Sequence, residues 1–194
     1  MKGDTTVRSD IIELGFDDFT ARLDQLLEVY AGAMQAPPEQ LAGRRAIMAG
    51  HARYPGFRAL AATEQGRVAG FCYGFRGMPG QWWHDRVADG IIAGHGQAAA
   101  QAWLGNCLEV AELHVRPDCQ GRGTGTALLG SLGTGRTERT ALLSTPDTES
   151  PARRLYRTAG FTDLLTGFRF EGAEPPYAVM GAGLPLRLPS PSRS

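Results

Sequence analysis

The run Gln120-Gly121-Arg122-Gly123-Thr124-Gly125 lies between two apolar segments, Leu108 to Val115 before it and Ala127, Leu128, Leu129 and Leu132 after it. The first reads as a strand stopped by Arg116-Pro117, the second as a helix. Glycine reaches positive φ and puts no side chain in the way, so successive backbone N–H groups converge on one point. The start of the helix adds unpaired N–H groups and the positive end of its dipole. Together these make a socket for a phosphate or diphosphate, with Arg122 at its rim. A Walker loop is excluded because the run lacks a closing lysine. A dinucleotide fingerprint starting at Gly121 needs its third glycine where Thr126 stands.

Other residues carry chemistry by type. Glu109 and Glu112 lie three apart in one strand, so alternation puts them on opposite faces. Each reads as a proton acceptor or as a solvated strand-face carboxylate. His114 shows no partner in the sequence and is read as a packed strand residue that contributes its backbone. Cys119 adjoins the glycine run, but nothing marks it as activated. In Trp82-Trp83-His84-Asp85 the indoles could wall an acceptor pocket, with Asp85 attracting an ammonium, or anchor a helix to a sheet. Adjacent tryptophans point differently, so one is expected buried and one exposed or pocket-facing. Arg153, Arg154 and Arg157 form a cationic helix face expected in solvent, although one of them could reach an adenosine phosphate. Tyr156, by type alone, is an aromatic knob.

Two stretches change those readings. Glu112-Leu113-His114-Val115-Arg116-Pro117, followed by Gln120-Gly121-Arg122-Gly123-Thr124-Gly125-Thr126-Ala127-Leu128-Leu129, resembles the core motif of the GNAT superfamily of N-acetyltransferases. Gln120, Gly123 and Gly125 fit its Q/R-x-x-G-x-G/A turn. Downstream, Ala152-Arg153-Arg154-Leu155-Tyr156-Arg157-Thr158-Ala159-Gly160-Phe161 resembles that superfamily's A-x-x-L-Y-x-x-x-G-F segment. One position departs: the family often has an asparagine where Glu149 stands, so that cofactor contact is either missing or replaced by Ser150.

The resemblance implies an α/β fold with a central, mostly antiparallel sheet splayed at its fourth and fifth strands and helices on both faces. It implies acetyl-CoA as co-substrate, with the main chain of Leu113, His114 and Val115 along the pantetheine arm and the amides of Gly121 to Thr126 on the diphosphate. Tyr156 becomes the acid that protonates the departing thiolate. Glu112 ranks first as base and Glu109 second. The implied activity is acetyl transfer to a primary amine, on a small molecule or a peptide, by direct attack in a ternary complex. The alternative is a non-catalytic acyl-CoA-binding sensor or assembly module.

Ile11 to Leu14 is a short strand. Phe19, Leu23, Leu26, Leu27, Tyr30 and Met34 recur at helical spacing from Asp17, the expected cap, and Pro37-Pro38 ends that helix and opens a second to about Arg53. Phe57 to Thr63 and Val68 to Phe75 read as a hairpin turning at Gln65-Gly66. Residues 77–106, punctuated by glycines, read as an insertion with one short helix around Trp82 to Ile91. Thr140 to Ser144 is a strand, Ser150 caps a helix with Pro151 at its first position, and Gly160 terminates it. Phe161 to Thr166 and Ala178 to Met180 finish a single domain over 1–184, followed by a flexible tail over 185–194.

Composition narrows the class further. The 194 residues are 42% hydrophobic with twenty basic and twenty acidic side chains, so no net field draws the chain to nucleic acid or to an anionic membrane. Lys2 is the only lysine, which makes a Schiff-base enzyme an improbable reading. Three scattered cysteines and four histidines without an HExxH pair point away from a disulfide scaffold and a metal site. The expectation is a cytoplasmic protein with reduced thiols, no membrane segment, and a homodimer as one assembly option through an exposed strand near Phe168 to Met180.

Overall fold

A computed structural model of the chain describes residues 10–171 and 175–188. Seven strands hydrogen-bond in the order β1-β2-β3-β4-β5-β7-β6. They are β1 (Asp10–Leu14), β2 (Arg58–Glu64), β3 (Arg67–Gly77), β4 (Cys107–Val115), β5 (Thr140–Pro146), β6 (Thr162–Phe168) and β7 (Tyr177–Gly183). By packing, the chain falls into two compact units, and both β3 and β4 run through both of them.

The first unit extends to Tyr73 and resumes over Glu112–Leu132. It holds α1 (Phe16–Ala21), α2 (Leu23–Met34), α3 (Pro38–His51) and α6 (Thr124–Gly133). The single helix expected from Asp17 is two, because the chain breaks at Arg22, and Gly15 rather than Asp17 is the N-cap. Phe19, Leu23 and Leu26 keep one buried stripe across that break, whereas Met34 is exposed. Phe19 packs edge-on against Phe57 and Tyr73, with centroids 5.0 and 5.4 Å away. Pro38 opens α3 as expected. The β2–β3 turn puts both Gln65 and Gly66 at positive φ, the geometry whose twist matches a hairpin.

The second unit comprises Gly74–Ala111 and the chain from Gly133 onward. Residues 77–106, expected to hold one short helix, hold two: α4 (Trp82–His95) and α5 (Gln97–Leu104). Val87, Ile91, Ala100 and Leu104 form a core with Leu142 and Val179. The β4–β5 ladder is parallel and covers three pairs, Cys107 to Glu109 against Thr140 to Leu142. Beyond Leu142, β5 continues paired with β7 as far as Pro146.

Ser150 caps α7 (Pro151–Thr158) through its hydroxyl, which accepts from the Arg153 N–H at 3.2 Å, and Gly160 follows at φ +95°. Of the expected tail, residues 185–188 are described, and the Arg187 N–H donates to the Ala159 carbonyl at 3.1 Å; 189–194 lie outside the described residues.

Arg153 corrects an expectation. Its side chain is 5% exposed and is held by Asp147 and, through both carboxylate oxygens at 2.7 Å, by Asp163. It ties α7 to the segments carrying those two acids instead of meeting solvent. Arg153→Ala is expected to destabilise the fold by about 2 kcal/mol. That is less than the ~3–5 kcal/mol typical of a broken buried pair, because both partner carboxylates keep access to water. Urea denaturation measures it.

Candidate active site

The glycine turn is built from both sides. After β4, the Arg116 N–H donates to the Ala69 carbonyl at 2.8 Å, and Pro117–Cys119 make one tight helical turn. Gln120 folds back, its side-chain amide donating to the Val115 carbonyl at 2.9 Å. Gly121 and Gly123 then take φ of +76° and +83°, and nothing lies within 4 Å of where a Cβ would project from either. The first helical bond runs from the Ala127 N–H to the Gly123 carbonyl at 3.0 Å. The amides of Thr124, Gly125 and Thr126 therefore have no intrahelical acceptor. Arg122, expected as a diffuse charge at the rim, is pinned: it donates to Glu64 at 3.0 Å and to the Asp118 carbonyl at 2.9 Å.

Close by in the same unit, Glu112 is buried, with 6% of its side chain exposed. Arg44 Nη1 donates to its Oε1 at 2.9 Å, and His114 Nε2 is bonded to its Oε2. Burial by itself would raise the Glu112 pKa. The His114 hydrogen bond and the nearby charge of Arg44 outweigh it, and the carboxyl stays below its ordinary range. The Arg44 guanidinium lies over the Tyr30 ring at 4.8 Å. His51 Nδ1 lies 3.0 Å from the Tyr73 hydroxyl, and burial pushes that imidazole down against the pull of Glu112. Thus the first unit brings together Glu112, Leu113, His114, Val115 and the whole stretch from Gln120 to Thr126.

The second unit holds the other expected site residues. Glu109 is buried, its Oε2 has no hydrogen-bond partner, and burial pushes its pKa up to about 8. Tyr156 is buried on α7 with its ring 5.9 Å from Phe161. The Ser150 hydroxyl is occupied as the helix cap. Trp82 is 58% exposed and lies 5.5 Å from Phe170, while Trp83 is half-buried and donates to the Ser144 hydroxyl at 3.1 Å. Trp82 is exposed, as expected of one of the pair, whereas Trp83 is half-buried instead of buried. Asp85 accepts from the Gly80 N–H through both oxygens at 3.1 Å, so it braces the loop before α4. Among the described residues no group of three or more His, Cys, Asp or Glu is arranged to hold a metal ion, and no helix is long and apolar enough to cross a membrane.

Residues 55–163 match the acetyltransferase (GNAT) domain family. A GCN5-like protein acetyltransferase of Mycobacterium tuberculosis is 36% identical over 202 aligned positions, spanning 91% of this chain and 98% of that protein. The chain belongs to the GNAT acetyltransferase family. Solved acetyltransferase structures share the fold at lower identity. The ribosomal-protein-S18-alanine N-acetyltransferase of Escherichia coli has a TM-score of 0.61 at 16% identity, over 96% of this chain and 98% of that one. The PaiA N-acetyltransferase of Thermoplasma acidophilum, solved with coenzyme A, has a TM-score of 0.60 at 13% identity, over 90% and 98%. The family, the mixed α/β fold and the acetyltransferase class expected from two motifs are thereby borne out.

What the sequence reading of this GNAT acetyltransferase missed is the set of partners around Glu112. Tyr30, Arg44 and His51 come from α2 and α3, far away in sequence, and no local pattern announces them. His114 was legible in principle. Residues two apart in a strand share a face, so Glu112 and His114 were placed to meet.

Proposed function

We propose that this GNAT acetyltransferase moves an acetyl group from acetyl-CoA to a primary amine by direct attack within a ternary complex. One observation carries the reading: positive-φ glycines with open space above them lead into the unpaired first amides of α6. Those amides suit a diphosphate, which needs several N–H donors converging without side chains. The main chain of Leu113 to Val115 would hold the pantetheine arm in the manner of an added strand. The complex of the PaiA relative with coenzyme A supports the same co-substrate. When bound, acetyl-CoA supplies an acyl group activated as a thioester.

The residues then have three tasks. The attacking amine must first lose a proton, since a lysine-like ammonium has a pKa near ~10.4. The Glu112 cluster on β4 is the place for that base, with Glu109 as runner-up. A backbone N–H of β4 near His114 would donate to the thioester oxygen as charge develops there. Tyr156 would then give its proton to the sulfur as the carbon–sulfur bond breaks. The name of the mycobacterial relative, a protein acetyltransferase, favours an amine carried on a peptide. Three buried cysteines, none of them in a disulfide, suit a reducing compartment such as the cytoplasm.

The test is release of free thiol from acetyl-CoA with a lysine-containing peptide and a panel of small amines. Saturable acetyl-CoA binding without turnover on any acceptor would sink the proposal. Tyr156→Phe is expected to lower kcat by about 100-fold, the lower end of the range of general acid catalysis, and to leave the KM for acetyl-CoA within about twofold. A Tyr156→Phe enzyme with unchanged kcat would remove that residue from the chemistry.

A further inference from the structure

Glu112 has little capacity left to act as a base by itself. One oxygen is taken by Arg44 and the other by His114, and its carboxyl is held in the ionised form. An ionised carboxylate has no proton to give. The hydrogen in the Glu112–His114 contact therefore sits on His114 Nε2. Neutral imidazole has a single N–H, so a proton fixed on Nε2 leaves Nδ1 as a bare lone pair. Among the described residues Nδ1 has no hydrogen-bond partner, and the side chain retains 11% exposure. The ring is held on its flanks: Tyr30 meets it edge-on at 5.1 Å, and Phe71 lies 5.5 Å away.

From this geometry, and resting on the acetyl-transfer reading above, we propose that His114 Nδ1 takes the proton from the acceptor ammonium, and that Glu112 positions the imidazole. The ammonium N–H bond breaks, its electron pair stays on nitrogen, and that pair attacks the acyl carbon. The proton forms a new bond to His114 Nδ1, and the second proton the nitrogen sheds after attack replaces the one that Tyr156 gives to the departing thiolate. The resulting imidazolium keeps Nε2–H on Glu112 and stands against that carboxylate's negative charge, the arrangement that orients a histidine base in hydrolytic triads.

Every neighbouring element contributes a charged or titratable group. Arg44 and His51 come from α3, Tyr30 from α2, and Tyr73, bonded to His51, from β3. Arg44 matches the charge of Glu112, so the form of the cluster able to accept a proton, with a bare lone pair on His114 Nδ1, is balanced. The captured proton leaves it with one positive charge to pass to water. Arg44 is accordingly a positioning residue for Glu112, one step further from the chemistry.

Two measurements on the full chain decide it. Nitrogen-15 NMR of histidine side chains should show wild-type His114 as the Nε2–H tautomer with Nδ1 unprotonated, and Glu112→Gln should relax that preference. An Nδ1–H tautomer in the wild type overturns the proposal whatever the substrate is. Kinetics with acetyl-CoA and a lysine-containing peptide provide the second measurement. His114→Gln should lower kcat/KM by about 100-fold and abolish the ascending limb of its pH profile. Acetyl-CoA affinity by fluorescence titration should stay within about twofold, and added imidazole should restore part of the rate to His114→Ala. An intact ascending limb in His114→Gln overturns the assignment. A wild-type enzyme inactive on every amine, with the expected tautomer present, instead overturns the acetyl-transfer reading on which the assignment depends.

Discussion

Glu109→Gln is expected to stabilise the protein by about 3 kcal/mol at pH 9 and to change it little at pH 4.5, the gain following from the pKa displacement. Glu109 is 4% exposed, one carboxylate oxygen has no partner, and burial pushes its pKa up to about 8. Unfolded, a glutamate titrates near ~4.3. Between those values the native state keeps a proton that the unfolded chain has lost, so stability falls as pH rises, by up to ~1.4 kcal/mol per pH unit. The fall begins near the unfolded value and levels off above pH 8. Its upper bound is about 5 kcal/mol, and relaxation of the site around the charge reduces what is realised. Glutamine keeps the shape without the titration, and its extra buried N–H costs about 1 kcal/mol at every pH. Urea denaturation of both proteins from pH 4.5 to 9 measures the effect. A constant difference between them would show that Glu109 is not the source. The same variant bears on chemistry: if Glu109 rather than the Glu112 cluster were the base, the stabilised protein would have lost its turnover.

The parts of the fold that were legible share one property: their signal is local. Gln65-Gly66 at a hairpin, Ser150-Pro151 at a helix start and the glycines before α6 each state a backbone requirement within a few residues. The parts that were not legible depend on contacts distant in sequence. Gly90 illustrates this. It reads as a breaker, yet it lies inside α4, because a Cβ there would come within 2.5 Å of the Phe168 ring and 2.8 Å of Leu165. That glycine permits close helix–sheet approach and says nothing about a turn. The break at Arg22 was hidden for the opposite reason, since the apolar stripe continues through it. Arg153 was assigned to solvent by residue type, and only its distant acidic partners overrule that. At the site, the main-chain socket was readable from glycine spacing, while Arg44, 68 residues from Glu112, left no mark in the sequence.

Gly125→Val is expected to weaken acetyl-CoA binding by at least about a thousandfold while the protein stays folded. Gly125 is the second residue of α6, where backbone φ is helical, and valine costs no more than glycine in a helix. Its branched side chain would stand over the first amides of the helix, where the diphosphate is proposed to sit. Charge-assisted hydrogen bonds contribute about 1.5–3 kcal/mol each, so excluding two or more reaches about 4 kcal/mol, a factor near 10³. Gly123→Ala provides the contrast. Its φ of +83° is one that alanine adopts only at a cost of about 1–2 kcal/mol, so that variant should lose stability as well as affinity. Serine at Thr124 or Thr126 removes only a methyl group and leaves the amides in place, so binding should change by less than about threefold, or ~0.65 kcal/mol. Calorimetric titration with acetyl-CoA, paired with thermal melting, separates these outcomes. Near-normal affinity in folded Gly125→Val would mean that the diphosphate lies elsewhere, because a branched side chain, unlike the single methyl that the resembled motif admits, would cover the donors of a main-chain socket.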